Sequence, residues 1–343
     1  MRPQLRGRRA AAALAAAGAL LLTACGGGSS AGSGGSSGAT VTIGVSGNIL
    51  DTPIEVADGQ GYFAAQGLKV KYVTLNASTG ASALQSGSVQ FLNDSPNGFL
   101  AALGKNVPET AIGTDAGGYP LGLIVSTKFA KAHHLTASTP AAQVAKALDG
   151  STGGSSSANT KGEASIFLKG YGVDPGKVKW VSLPSPVADK AALKSNQIDW
   201  FATSEPTPLE IQDSGDGVVV ADPVKVPAWS QKEAGYGQFV VARSNYLSQH
   251  ADTARKVAAA VQQATAYMHA HLESAAVQAA ARKAVPGVAA DVVAASLRQV
   301  AWPTSDAMDA QGWATTLGFV NSLVTLDKKA AVTDSQWSNE YLP

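Results

Sequence analysis

Two stretches of the chain alternate apolar and polar residues in nearly the same order. Residues 69–75 read Lys-Val-Lys-Tyr-Val-Thr-Leu, and residues 177–183 read Lys-Val-Lys-Trp-Val-Ser-Leu. This alternation, rich in β-branched and aromatic residues, predicts a half-buried strand in each place. A helical stretch follows each strand and leads to a second short strand, predicted at 89–92 and at 198–201. The chain therefore contains one strand–helix–strand unit twice, and that unit is the parallel building block of α/β folds.

The residues that flank the two repeated helices are those that helix ends favour. Gly87 and Asn196 fall at the position after the helix, where glycine and asparagine tolerate a left-handed backbone. In the second unit Pro186 follows Ser185, which fits a serine N-cap and a proline at the first helical position. We therefore expect the first helix to end before Gly87 and the second to lie between Ser185 and Asn196.

Apolar runs elsewhere complete an α/β pattern. Further strands are predicted at 41–45, 111–114, 121–126 and 238–242, and a helix at 53–65. The C-terminal part is predicted to be helical because apolar residues recur there at spacings of three and four. These residues are Ala254, Val257, Val261, Ala264 and Met268.

The order of these elements predicts two lobes. Roughly three hundred residues exceed one ordinary core. We expect lobe 1 to consist of residues 40–126 and 223–343, and lobe 2 of residues 127–222. The chain would then cross between the lobes twice, and two crossings form a hinge of the clamshell kind. The predicted fold class is α/β with two lobes, a hinge and C-terminal helices.

The N-terminal residues have the order of an export signal. Four arginines, at positions 2, 6, 8 and 9, precede an apolar run at 10–22 that is too short to span a bilayer. The run ends in Leu-Thr-Ala-Cys at 22–25, which resembles the lipobox of bacterial lipoproteins, in which the cysteine is lipidated. The resemblance implies a signal peptide at 1–24, a lipid anchor at Cys25, a flexible Gly/Ser tether at 25–39 and a protein held at the outer face of the cytoplasmic membrane. A plain secretory signal with a lone thiol is the alternative, and the export route, Sec or twin-arginine, stays open.

Composition and charge narrow the list of partners. Residues 1–24 carry four of the 26 basic residues and none of the 25 acidic ones, so their removal leaves a net charge of about −3. No basic run remains, which argues against nucleic acid as a partner. Cys25 is the only cysteine, so neither an internal disulfide nor a thiol metal cluster can form. The histidines are not spaced to bind a metal, and we expect no metal and no cofactor.

Several short motifs give the chain a family resemblance. They lie at 53–63, 66–70, 84–91, 192–199 and 204–206 and include Asp-Gly-Gln-Gly-Tyr-Phe, Gln-Gly-Leu-Lys-Val and Ser-Glu-Pro. The chain resembles the solute-binding proteins of ABC importers related to the sulfonate-binding protein SsuA and to thiamine-pyrimidine synthases. The resemblance implies a periplasmic-binding-protein fold of type II topology and a monomer that delivers a small solute to an ABC permease. Members deliver sulfonates, taurine, nitrate, bicarbonate or the thiamine pyrimidine precursor.

Two features separate this chain from such relatives. Residues 150–160 read Gly-Ser-Thr-Gly-Gly-Ser-Ser-Ser-Ala-Asn-Thr, where relatives usually carry an apolar strand, and glycine weakens a strand. The eukaryotic relatives that make the thiamine pyrimidine carry a cysteine-rich iron-binding motif, whereas this chain has Cys25 alone. We therefore predict a binding protein rather than an enzyme, with a pyrimidine-synthesis enzyme and a surface adhesin on the same fold as alternatives.

The predicted strand ends supply the candidate ligand-binding residues, because ligands of open α/β sheets lie beyond the carboxyl ends of the strands. The amides at 157–160, before a predicted helix, could hold an anionic oxygen, or one of these residues could cap the helix. The three aromatic candidates could stack on a flat ring or face a cation, or could simply pack in the core. The candidates are Asn48, Asn93, Asp94, Ser95, Asp115, Tyr119, Ser156, Ser157, Asn159, Thr160, Glu205, Trp229 and Tyr236.

Three of these candidates are acidic and bear on the ligand. Asp94, Asp115 and Glu205 are expected to converge, and no arginine occurs between residues 10 and 242 to pair with them. Carboxylates brought together raise one another's pKa unless a cation or a hydrogen-bond donor joins them. The pattern therefore favours a solute with amine, amidine or aminopyrimidine groups, such as the thiamine pyrimidine precursor. A sulfonate-, taurine- or nitrate-type anion is the alternative ligand.

Overall fold

Two five-stranded sheets organise the protein. The computed structural model describes residues 39–75, 79–323 and 329–343. The predicted signal peptide at 1–24, the lipidation of Cys25 and the tether as far as residue 38 lie outside the described residues. Within the described part, no helix is long and apolar enough to cross a membrane.

The first sheet contains the first repeated unit. Its strands are β1 (Ala39–Val45), β2 (Leu68–Thr74), β3 (Phe91–Asp94), β4 (Glu109–Gly117) and β10 (Tyr236–Arg243). They lie in the order β2-β1-β3-β10-β4. β1 is parallel to both of its neighbours, whereas β10 is antiparallel to both β3 and β4. The carboxyl ends of β1, β3 and β4 therefore meet at one edge of the sheet.

The second sheet contains the second repeated unit and repeats the order of the first. Its strands are β5 (Leu121–Ser126), β6 (Thr152–Ser155), β7 (Lys179–Ser182), β8 (Trp200–Ser204) and β9 (Gly217–Ala221). They lie in the order β7-β6-β8-β5-β9, with β6 parallel to both neighbours and β5 antiparallel to both. Each strand of one sheet thus has a counterpart in the other. The two strand–helix–strand units predicted from the sequence occupy equivalent places, which confirms that prediction.

One boundary of the predicted division is wrong. The division placed residues 121–126 in lobe 1, but β5 pairs with β8 and β9 in the second sheet. The chain therefore crosses before Leu121 and returns between β9 and β10. The reason is symmetry: each sheet takes its one antiparallel strand from the segment that has just arrived from the other sheet.

Helices cover both sheets. In the described residues they are α1 (Thr52–Gly59), α2 (Tyr62–Ala65), α3 (Gly80–Ser86), α4 (Pro96–Gly104), α5 (Thr127–His133), α6 (Ala141–Leu148), α7 (Ala158–Gly170), α8 (Pro186–Lys194), α9 (Thr207–Asp213), α10 (Gln231–Ala234), α11 (Ser244–Gln249), α12 (Ala251–His271), α13 (Ala275–Ala284), α14 (Ala290–Leu297) and α15 (Ala310–Leu323). The single helix predicted at 53–65 is in fact two, because Gly61 adopts φ 75° between them. The five apolar residues predicted to form a stripe on α12 are all completely buried.

The predicted ends of the repeated helices are confirmed. Gly87 and Asn196 have φ values of 79° and 57°, in the left-handed region. The Ser185 hydroxyl accepts a hydrogen bond from the Ala188 amide at the start of α8, and Pro186 is its first residue. Local sequence therefore determines where these helices begin and end.

Strand β6 forms although its two central residues, Gly153 and Gly154, have no side chains. A Cβ atom at Gly153 would lie 2.8 Å from the Trp200 ring, and one at Gly154 would lie 2.5 Å from the Ile198 side chain. The side chains of Trp200 in β8 and of Ile198 before it thus fill the space beside the two glycines.

Hydrogen bonds join the two crossings between the sheets. The Gly118 amide donates to the Gly235 carbonyl at 2.9 Å, and the Tyr119 amide donates to the Trp229 carbonyl at 2.8 Å. Gly118 has φ 72°, and a Cβ there would lie 2.7 Å from the Gln231 nitrogen. The crossing therefore requires glycine both for its left-handed backbone and for this close approach.

The C-terminal region contacts both sheets rather than completing one lobe. Phe319 and Leu323 of α15 belong to the apolar cluster of the second sheet. Trp313 and Val320 of the same helix pack with Phe99 and Phe239 on the first sheet. α15 is thus a third connection between the sheets, which the sequence division did not include.

We expect Gly118→Ala to lower the free energy of unfolding by about 1–3 kcal/mol, because alanine strains a left-handed backbone and meets the second crossing. Urea unfolding measures the change. Gly59→Ala is the matched control: Gly59 ends α1 and has no atom within 4 Å of an added Cβ. The control should change stability by no more than about 1 kcal/mol. An unchanged unfolding midpoint in Gly118→Ala would contradict the role given to this glycine.

Candidate functional site

A cavity of about 270 Å³ opens where the carboxyl ends of the parallel strands of both sheets meet. Residues after β1, β3 and β4 line it from the first sheet, and the first turns of α7 with the end of β8 line it from the second. Seven of the candidates predicted from the sequence lie on its wall. They are Asn48, Asn93, Asp94, Ser95, Tyr119, Asn159 and Thr160.

The predicted convergence of three carboxylates is wrong, since only Asp94 reaches the cavity. Asp115 is 0 % exposed and Glu205 is 1 % exposed, and neither lines the cavity. β4 continues to Gly117, beyond the predicted end at residue 114, so Asp115 lies inside a strand and not after it. Ser204 lines the cavity, and because side chains alternate along a strand, the next residue, Glu205, turns to the other side. Its carboxylate accepts a hydrogen bond from the Leu209 amide at 3.3 Å.

Two of the three aromatic candidates belong to the core. Trp229 is completely buried, and its indole N–H donates to the Glu163 carbonyl at 3.2 Å. Tyr236 is buried against α15, where its hydroxyl accepts a hydrogen bond from the Asp309 amide at 2.7 Å. Tyr119 does line the cavity, but its ring packs on Phe319 with centroids 4.6 Å apart. Of the two alternatives given for the aromatic candidates, packing in the core is the one that holds for Trp229 and Tyr236.

Ser157 and Thr160 cap the N-terminus of α7. The Ser157 hydroxyl accepts from the Thr160 amide at 3.1 Å, and the Thr160 hydroxyl accepts from the Ser157 amide at 3.0 Å. This reciprocal pair is a capping box. Ser156 does not line the cavity. Of the two readings of residues 157–160, helix capping is the one the geometry supports.

A carboxylate of the chain itself occupies the start of α4. Asp94 Oδ1 accepts a hydrogen bond from the Ser95 amide at 2.8 Å, and the Ser95 hydroxyl accepts from the Gly98 amide at 3.1 Å. The Asp94 carboxylate lies directly over Gly98, where a Cβ would overlap it. Burial raises the pKa of Asp94 to about 7, and the hydrogen bond from Ser95 opposes that rise.

The loop after β1 is organised by a buried carboxylate that the sequence analysis missed. Asp51 Oδ2 accepts hydrogen bonds from the amides of Ser46, Gly47 and Asn48 at 3.0, 2.6 and 3.1 Å. Its other oxygen accepts from Asn93 Nδ2 at 3.1 Å. Asn48 with Asp51 forms a capping box, a pattern that spacing alone could have revealed.

The orientation of the Asn93 amide follows from these contacts. Asn93 Nδ2 donates to the Leu50 carbonyl and to Asp51, so its Oδ1 must point the other way. That oxygen is buried and has no hydrogen-bond partner. Asn97, also on the cavity wall, has a buried Oδ1 without a hydrogen-bond partner. The hydroxyl of Tyr119 is likewise buried without a partner.

Glu163 is the most consequential residue that the sequence analysis missed. It lies in α7, is 5 % exposed and lines the cavity. Its carboxylate has no hydrogen-bond or ion-pair partner among the described residues, and burial raises its pKa to about 7. The signal in the sequence is a lone acid on the apolar face of a helix that also carries Phe167 and Leu168.

The cavity wall is rich in hydrogen-bond acceptors. Among the described residues that line it are the carboxylates of Asp94 and Glu163 and no lysine, arginine or histidine. Among the described residues, no group of His, Cys, Asp and Glu is arranged to hold a metal ion. A ligand that donates hydrogen bonds or carries positive charge would supply the missing partners.

Solved structures share this architecture. The periplasmic aliphatic sulphonate-binding protein SsuA of Escherichia coli has a TM-score of 0.69 at 18% identity, with 88% of this chain and 99% of that chain covered. The periplasmic nitrate-binding protein NrtA of Synechocystis PCC 6803 has a TM-score of 0.62 at 14% identity, with coverage of 87% and 84%. A Candida albicans gene product described as having the generic periplasmic binding protein fold has a TM-score of 0.65 at 15% identity, with coverage of 88% and 96%. The comparison with curated proteins finds no match.

These likenesses, together with the strand orders, define a two-lobed periplasmic-binding-protein fold of type II topology, as predicted. The family model described as NMT1/THI5 like matches residues 48–275. The chain belongs to the NMT1/THI5-like family, which confirms the resemblance drawn from the sequence.

Asp94→Asn should change how the stability of the ligand-free protein depends on pH. Because the pKa of Asp94 is raised from 3.8 to about 7, the folded protein keeps a proton that the unfolded chain releases. The stabilisation from this group is present at low pH and is lost as the pH rises through about 7. Between about pH 5 and pH 8, wild-type protein should therefore lose more unfolding free energy than Asp94→Asn, measured by urea unfolding. Parallel profiles would show that the carboxyl titrates normally.

Proposed function

We propose that this protein is the solute-binding lipoprotein of an ABC importer and that its two lobes close on a small amine-bearing solute, of which an aminopyrimidine is one candidate. The observation that carries the proposal is the acceptor-rich cavity between the two sheets. Its wall includes two carboxylates and the unpartnered amide oxygens of Asn93 and Asn97, and none of the described lining residues is a lysine, arginine or histidine. Membership of the NMT1/THI5-like family and the shared fold support the receptor role.

The class of ligand depends on whether the cavity wall offers hydrogen-bond donors or acceptors. An oxyanion needs donors, and in this family's fold these would come from the starts of helices beside the cavity. At α4 the Ser95 and Gly98 amides are already taken by Asp94 and by the Ser95 hydroxyl. At α7 the amides of Ser157 and Thr160 bond within the capping box. An anion would also meet Asp94 and Glu163, which repel it, whereas an amine group can pair with a carboxylate.

Closure of the lobes gives the binding step its physical basis. A ligand shifts a protein between open and closed states only through contacts that differ between the two. The cavity wall comes from both sheets, so one bound solute can contact both. The crossings at Gly118 and Gly235 are the segments about which such a motion would occur. A permease would then recognise the closed form.

The sulfonate- and nitrate-binding proteins that share the fold define the competing ligand class. Because these proteins share so little sequence with this chain, the common fold does not imply a common binding site. The polarity of the wall in this chain is the reason for preferring an amine.

The lipid anchor is proposed from residues 1–38. The basic start, the apolar run at 10–22 and Cys25 at its end support processing to a lipidated cysteine. The Gly/Ser stretch that follows would hold the lobes clear of the membrane surface.

A thermal-shift screen of protein that starts at residue 39 should find stabilisation by an amine-bearing solute, since a ligand that binds only the folded state raises its stability. Asp94→Asn should weaken the binding of that solute about 10- to 100-fold, the value of one lost charged hydrogen bond. Isothermal titration calorimetry measures the affinity.

Asp213→Asn provides the control for this experiment. Asp213 ends α9 on the surface and does not line the cavity, so its loss should leave binding unchanged. Stabilisation by alkanesulfonates or nitrate alone, with the same affinity in Asp94→Asn, would reverse the ligand assignment.

Cys25→Ser should release the exported protein from the membrane. Without the thiol no diacylglyceryl group can be attached, and a soluble lobe pair has no other anchor in the proposal. Expression in a bacterial host that processes lipoproteins, followed by membrane fractionation and metabolic labelling with a fatty acid, measures the effect. Ser29→Ala in the tether is the control and should remain in the membrane fraction. If Cys25→Ser and the wild type associated equally with the membrane, the lipoprotein assignment would be wrong.

A further inference from the structure

We propose that Glu163 is a second ligand contact opposite Asp94, and that the pair selects solutes with a hydrogen-donating group at each of two ends, at least one of them cationic. This inference rests on the proposed function, because it names the class of solute for the same cavity. It differs from the earlier ligand argument in requiring two ends rather than one.

Glu163 and Asp94 reach the cavity from different lobes. Asp94 is the last residue of β3 in the first sheet. Glu163 lies in the second turn of α7, whose buried residues Phe167 and Leu168 belong to the apolar cluster of the second sheet. One cavity of about 270 Å³ therefore has one carboxylate on each side of the lobe boundary. That volume is small for a ligand pocket, so a compact solute can span it.

The main chain at Glu163 is held firmly. The indole N–H of Trp229, itself completely buried, donates to the Glu163 carbonyl at 3.2 Å. The capping box of Ser157 and Thr160 fixes the start of the same helix. The Trp229 carbonyl also accepts a hydrogen bond from the Tyr119 amide at the first crossing, so Trp229 connects Glu163 to the two crossings. A carboxylate placed in this way is presented to the cavity in a defined position.

The carboxylate of Glu163 lacks any partner that would explain its burial. It makes no hydrogen bond or ion pair with a described residue, and no lysine, arginine or histidine is among the described residues of the wall. The Tyr119 hydroxyl, close enough for the Glu163 charge to raise the Tyr119 pKa, is also buried without a partner. A buried carboxylate that is unpaired lowers stability, and such groups are retained where a ligand completes them.

Two carboxylates on opposite lobes restrict how many donor groups the ligand carries and how far apart they lie. A solute with a single donor group can satisfy Asp94 but leaves Glu163 unpaired when the lobes close, which opposes closure. A solute with a donor group at each end satisfies both and draws the lobes together. The pair therefore discriminates by the number and spacing of donor groups.

The test uses α,ω-diaminoalkanes of three to six carbons and n-alkylamines of the same lengths, with binding measured by isothermal titration calorimetry. In the wild type the preferred diamine should bind at least about tenfold more tightly than the matched monoamine. Glu163→Gln should weaken the diamine about 10- to 100-fold and leave the monoamine nearly unchanged, so that the ratio falls toward one. Glu233→Gln, which removes an exposed glutamate of α10, should retain the wild-type ratio.

A second variant tests position rather than charge. Glu163→Asp keeps the carboxylate but withdraws it by one methylene, so the preferred diamine should become longer. A residue with a purely structural role would not shift that length. This variant also keeps the question answerable if Glu163→Gln does not fold.

The outcomes separate this inference from the function on which it rests. If amines bind but diamines gain nothing over monoamines, or if the length preference and ratio survive both variants, Glu163 is not a ligand contact and the receptor role stands. If only solutes of another class bind the wild type, the two-ended donor class is wrong. If no small solute of any class binds, the proposed receptor function itself fails.

Discussion

The whole arrangement depends on the hydrogen-bonded pair of crossings between the sheets. The amides of Gly118 and Tyr119 on the first crossing donate to carbonyls of Gly235 and Trp229 on the second. Because each crossing delivers an antiparallel strand into the sheet it enters, both sheets are forced into the same strand order. The carboxyl ends of their parallel strands then face one space. A cavity lined by both lobes follows from this constraint before any particular side chain is considered.

Buried carboxylates without cations are the second feature that unifies the molecule, and their positions divide them into two kinds. Asp115 and Asp306 lie inside the first lobe, where burial raises the pKa of both, that of Asp306 to about 8, and the nearby Asp306 raises the pKa of Asp115 further. No solute can reach them, so protonation is their means of avoiding an unpaired charge. Asp94 and Glu163 open onto the cavity, where a ligand can do what a proton does elsewhere. The same electrostatic cost is therefore met by protonation inside the lobe, and in the proposed function it is met by the ligand at the cavity.

The sequence predicted those features that local chemistry determines. The repeated strands, the left-handed Gly87 and Asn196, and the cap at Ser185 all depend on neighbouring residues and were confirmed. The errors lie where a difference of one to three residues in the end of a strand decides which side a residue faces. β4 runs three residues past its predicted end and buries Asp115, and the alternation at the end of β8 turns Glu205 away from the cavity.

Glu163 illustrates the complementary limit. The prediction looked for ligands at strand ends, whereas this residue lies inside a helix, on a face that is otherwise apolar. An acidic residue on such a face is a visible signal, but pairing it with Asp94 requires knowing that α7 and β3 face each other across the lobe boundary. That fact belongs to the tertiary structure, because nearly seventy positions separate the two residues along the chain.

A fold shared with sulphonate- and nitrate-binding proteins does not by itself fix the charge of the ligand, because the polarity of a site depends on its side chains. The start of a helix carries unpaired amides, which suit an anion. Here the Ser95 amide at α4 donates to Asp94, and the amides of Ser157 and Thr160 at α7 bond within the capping box. These contacts reduce the donors that the two helix starts offer to an anion, while the carboxylates of Asp94 and Glu163 lie on the cavity wall. In the proposed function, the fold is therefore shared with anion-binding proteins, whereas the side chains of the wall favour a ligand that donates hydrogen bonds.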